Sequence, residues 1–138
     1  MHPLSAWPRP ALTLSVGAVA LVGLAYGLLF PDRTDYLGHF LAGAGATYWL
    51  LAVVVEAVPE RRWPVVIAVW VAILLGVAAE ATVFRLAEFD PVELANQSLG
   101  AVLAGVGMLD ARPYDRSSAV AAGAGLVFLV AGFFYAFA

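Results

Sequence analysis

The chain has no cysteine and no lysine, and only 12% of its 138 residues are charged. Without cysteine there is no disulfide, no thiolate metal site and no cysteine nucleophile. Without lysine there is no Schiff base, so a retinal pigment or a lysine-based catalyst is excluded. The basic residues are seven arginines, at positions 9, 33, 61, 62, 85, 112 and 116, against ten acids, for a net charge of −3. That balance provides no basic surface for nucleic acid. What fills the chain is apolar: 63% hydrophobic residues and a mean hydropathy of +0.90, well outside the range of a water-soluble domain.

The apolar residues fall into five runs, each long enough to cross a bilayer at about 20 residues per span. We expect transmembrane helices over residues 11–30, 36–58, 63–84, 91–109 and 117–138, making residues 1–138 a single all-α membrane domain with no room for a soluble one. The first run ends at Pro31-Asp32-Arg33-Thr34-Asp35, the second at Pro59-Glu60-Arg61-Arg62, and the fourth before the polar turn 110–116. Although Ala25-Tyr26-Gly27 loosely resembles a cleavage site, the first run is long for a signal peptide and its flank only weakly basic, so it reads as a retained span. Five arginines lie in the N-terminal segment and the 59–62 and 110–116 loops, two in the other connections. The positive-inside rule then puts the N-terminus inside and the C-terminus outside. Trp63, Tyr114, Tyr36 and Tyr135 fall near expected span ends as interfacial aromatics, and Gly43, Gly45, Ala46, Gly123 and Gly125 permit close helix packing.

In this topology the polar residues converge on the outer side. One connection and the helix after it bring Asp32, Arg33, Asp35 and His39; the other brings Glu80, Arg85, Glu88, Asp90, Glu93, Asn96 and Gln97. Asp35 and His39 share a face of helix 2, and Glu93 and Gln97 share a face of helix 4. Part of this polarity has a structural explanation. Asp90-Pro91-Val92-Glu93 is a capping-box arrangement, and Asp32 with Asp35 has the same spacing. His39 and Glu80 resist it, because each lies about one turn inside its span, where an ionisable group is costly unless paired or solvated. They are the candidate catalytic residues; bonding to each other as an interhelical tie is the structural alternative. The candidate ligand-binding set is Arg33, Asp35, His39, Glu80, Arg85, Asp90, Glu93, Asn96 and Gln97.

The stretch Asp35-Tyr36-Leu37-Gly38-His39-Phe40 resembles the VanZ-like family of small membrane proteins, whose pattern has an Asp four residues before His-Phe near the start of a span. A second block, an acid ending one helix, an Arg, then an acid, an Asn and glycines on the next, is matched by Glu80, Arg85, Asp90, Glu93, Asn96 and Gly100. Ala81 stands where a glutamine usually follows, and Gln97 where the asparagine is expected. The resemblance covers roughly residues 32–107 and implies a cell-envelope membrane protein of a family associated with resistance to the glycopeptide teicoplanin.

Three functions fit. A polar pocket between helices 2, 3 and 4 would bind a lipid or other amphipathic envelope molecule, Arg33 and Arg85 attracting an anionic headgroup. An intramembrane enzyme would use His39 with Glu80 as general acid and base or as ligands of a divalent metal. An accessory subunit would dock its small-residue stripes on partner helices or on a second copy. No cofactor is implied.

Overall fold

The computed structural model describes residues 10–54, 63–82, 91–109 and 119–137, with side chains over 13–52, 65–79, 91–109 and 121–137. Among these residues there are five helices and no strand: α1 (Pro10–Leu29), α2 (Thr34–Val54), α3 (Trp63–Thr82), α4 (Pro91–Met108) and α5 (Ala119–Ala136). The expected all-helical architecture is observed. Proline opens α1 and α4 and is the second residue of α3, a position in the first turn where its missing N–H costs nothing. Arg33 N donates to Phe30 O and Tyr36 N to Arg33 O, so the α1–α2 connection is a tight hydrogen-bonded turn. Among the described residues no helix is long and apolar enough to cross a membrane.

The second helix is the hub and touches each of the other four. Its neighbours in sequence and α5 run antiparallel to it, and α4 runs parallel to it: His39 lies beside Glu93, and Tyr48 reaches the level of Ala104 through Ser15. The core lies along this pair, with Phe40, Ala44, Tyr48 and Leu51 of α2 meeting Ala104 and Met108 of α4, Val19 of α1, Val65 of α3 and Ala121 of α5.

Close approach to α2 is secured by glycine on both of its sides. Toward α5, a Cβ on Gly45 would lie 2.6 Å from Leu129 N, one on Gly125 2.7 Å from Trp49 N, and one on Gly132 2.7 Å from Ala42 N. Gly38 meets the backbone of Ala136 more tightly still. These distances are below what any real Cβ contact shows, so the two backbones touch directly. Gly38 and Gly45 are seven apart, as are Gly125 and Gly132, so each pair lies on one stripe of its helix. Toward α4, Gly100 meets the Phe40 carbonyl and Gly43 the Gln97 carbonyl. Gly123, expected at a packing face, has nothing within 4 Å of its Cβ position.

A buried polar tie joins α1, α2 and α4. Ser15 Oγ donates to Ala104 O at 3.1 Å and lies 2.6 Å from Tyr48 Oη. Because serine has one proton and a carbonyl can only accept, Tyr48 is the donor to Ser15.

Candidate functional site

The polar residues of α2 and α4 do gather at one end of the bundle, the end formed by the α1–α2 turn, the start of α4 and the finish of α5. Arg33 stands before α2 and forms a two-pronged bond to Asp35, Nε to Oδ1 at 3.0 Å and Nη2 to Oδ2 at 2.7 Å. Its guanidinium also lies 4.0 Å from the centre of the Tyr36 ring. Arg33 holds the Asp35 carboxyl below the usual carboxylate range, against an opposing push from burial.

One turn further, His39 is constrained at both ring nitrogens. Nδ1 is 2.8 Å from Asp35 O; a carbonyl only accepts, so the Nδ1 atom carries a proton. The opposite nitrogen, Nε2, lies 3.6 Å from Glu93 Oε2, both side chains being largely covered, at 12% and 21% exposure. An imidazole lone pair facing a carboxylate is repulsive, and one proton between Nε2 and Glu93 makes it attractive. The His39–Glu93 contact is thus an ion pair whenever the imidazole is protonated. Glu93 is the third residue of α4, where the sequence suggested a helix cap; in the folded chain it meets α2.

Asn96 and Gln97 diverge. Asn96 faces α1, its Oδ1 accepting from Tyr26 Oη at 2.5 Å, with Tyr26 in turn packed on Phe40 at 5.0 Å between ring centres. Asn96 belongs to the packing of α1 and not to the pocket. Gln97 faces the other way, toward α3, where its Nε2 donates to Ala72 O at 3.0 Å across the bare backbone of Gly76.

His39 and Gln97 both line a cavity of about 300 Å³. The sequence placed a pocket between helices 2, 3 and 4; the structure adds α5 as a full wall. Leu75 and Ala79 form one side, from α3, and Leu129 and Phe133 the other, from α5, over a floor of Ala42 and Ala46 of α2. The third and fifth helices each pack on α2 but share no principal interface. The cavity is thus a cleft between them, open sideways. Sequence reasoning missed the α5 contribution, for which the seven-residue glycine spacing was the available signal.

Glu80 falls in α3 with its side chain outside the described residues, and Arg85 and Asp90 lie outside them altogether. Among the described residues no three His, Cys, Asp or Glu side chains are grouped to hold a metal ion. No protein-family model, curated protein or solved structure matches the chain.

Proposed function

We propose that this chain is a VanZ-like integral membrane protein that binds a lipid or other amphipathic envelope molecule in the cleft between α3 and α5. The observation that carries the reading is the cleft itself: an apolar groove in which, among the described residues, His39 and Gln97 are the polar lining residues and which opens sideways, where a lipid chain would enter. Pockets for amphipathic ligands have this makeup, mostly apolar walls with few convergent polar groups.

The membrane assignment rests on length and surface. α1 and α3 each run for 20 residues, about 30 Å at 1.5 Å per residue, which matches the hydrocarbon thickness. The outward surface agrees with lipid: Leu14, Leu21 and Leu28 of α1 are 72%, 69% and 74% exposed, a stripe too apolar to face water on a monomer. In this reading the N-terminus is inside, and Arg33 together with Arg85 supplies positive charge to an anionic headgroup at the outer end.

The family assignment rests on Asp35, His39 and Phe40 at their spacing. The alternative of an intramembrane His/carboxylate enzyme has less support, because both ring nitrogens of His39 are turned to protein atoms and neither is presented to a substrate. Native mass spectrometry of the protein extracted from membranes tests the main reading. A co-extracted lipid is expected on the wild type and its loss on Ala79→Trp, which fills the cleft; a lipid-free wild type would remove the reading's support.

A further inference from the structure

Gln97 reaches the floor of the cleft with only half of its amide engaged. Nε2 is committed to Ala72 O, a partner that can only accept, so the identity of the two amide ends is fixed and the oxygen is the end left over. That Oε1 atom lies beside the bare backbone of Gly76 and has no hydrogen bond among the described residues. Gln97 lines the cleft, and its oxygen is not one of the fully buried polar atoms lacking a partner, of which Asn96 Nδ2 is the one found among the described residues. In water an open amide oxygen is satisfied by solvent. In a groove open to hydrocarbon it is costly, and persists where an occupant satisfies it.

We infer that Gln97 selects the occupant of the cleft: a molecule with an alkyl or isoprenoid chain bearing a hydroxyl or comparable hydrogen-bond donor, which it gives to Gln97 Oε1. The inference rests on the lipid-binding reading and narrows it to one chemical class. The chain lies against Leu75, Ala42, Leu129 and Phe133, and a volume of about 300 Å³ is at the low end for ligand pockets, enough for one chain and not for a diacyl lipid. Gly76 serves this arrangement, since any side chain there would displace the Gln97 amide. The second N–H of Gln97 gives a hydroxyl a donor to accept from, so an alcohol completes both halves of the amide while an ether leaves the oxygen bare.

The test uses the full chain in phosphatidylcholine nanodiscs, with 1-decanol and decyl methyl ether as probes and occupancy read by native mass spectrometry. The two probes share chain and oxygen and differ in the donor. We expect decanol to be favoured about tenfold, the scale of one hydrogen bond to a group otherwise left unmade, and Gln97→Met to bring the two probes level without abolishing either. Equal occupancy by both on the wild type overturns the role of Gln97 while leaving the cleft reading intact, a comparison that needs no variant to fold. Binding of neither, together with the absence of co-extracted lipid, overturns the cleft reading and this inference with it. A preference for the alcohol that survives in Gln97→Met assigns the acceptor elsewhere and sinks the proposal.

Discussion

At the scale of single residues, the site is a chain of commitments running from Arg33 through Asp35 and His39 to Glu93. The tautomer of His39 follows from its bond to Asp35 O, so 15N spectra of histidine-labelled protein should show the Nδ1–H form whenever the ring is neutral; an Nε2–H form would contradict the geometry. Because Nε2 lies 3.6 Å from Glu93 Oε2, a double-mutant cycle with His39→Gln and Glu93→Gln should give a coupling on the order of 1 kcal/mol, read from thermal unfolding. Asp35 behaves differently. Its pKa in the folded chain is depressed, so its contribution to stability is fully present above the ordinary value of 3.8 and is lost as pH falls through the lowered one. Arg33→Ala should therefore destabilise at neutral pH and converge with wild type in acid, by at most about 1 kcal/mol, because the pair is exposed and screened. His39 was legible in the sequence as an ionisable group one turn inside an apolar run. Its partner was less so: spacing within a helix shows which residues share a face, as for Asp35 and His39, but not which acid of another helix meets that face. The acid found there among the described residues is Glu93.

At the scale of helices, the decisive contact is the backbone seam between α2 and α5. Gly132→Ala puts a methyl 2.7 Å from Ala42 N, and Gly125→Ala the same distance from Trp49 N; each should cost about 1–3 kcal/mol by forcing the helices apart. Gly123→Ala, on the same helix and with open space around it, should instead stabilise by about 0.5–1 kcal/mol through helix propensity alone. Melting temperatures of the three variants decide it, and a common sign for all three would refute the seam. The helices themselves were legible from hydropathy and proline placement, with bounds differing by a few residues, as at α2, which starts at Thr34 and not at Tyr36. The seam was not. In a chain with 13 glycines, Gly123 and Gly125 look equally suited to packing, and the seven-residue register separates them only when Gly38, Gly45, Gly125 and Gly132 are taken together.

For the whole molecule, the described residues form a hub helix packed by four others, with a few polar ties in the interior. The Ser15 link is the most exposed to test, since it joins three helices through one hydroxyl. Ser15→Ala strips Tyr48 of its acceptor and Ala104 O of a donor, and should cost about 1–3 kcal/mol for the buried groups left unmade. Adding Tyr48→Phe removes the orphaned hydroxyl and should recover part of that loss, which denaturant unfolding in micelles can measure; no recovery would mean that Tyr48 finds another partner. That the starts of α2 and α4 lie at the same end of the bundle, with His39 beside Glu93, follows from helices that alternate in direction along the chain. The cleft does not follow, because it depends on α3 and α5 both docking on α2 while leaving a gap between them.

The seam between α2 and α5 also bears on how the protein is made. Gly38 and Ala136 lie 98 positions apart in a chain of 138, so during synthesis the hub's glycine face waits uncovered while α3 and α4 take their places. The last helix acts as a closing bolt, and the sideways cleft comes into being with it, one wall being α5 itself. A chain halted before α5 would hold the His39–Glu93 pair and have no cleft to serve.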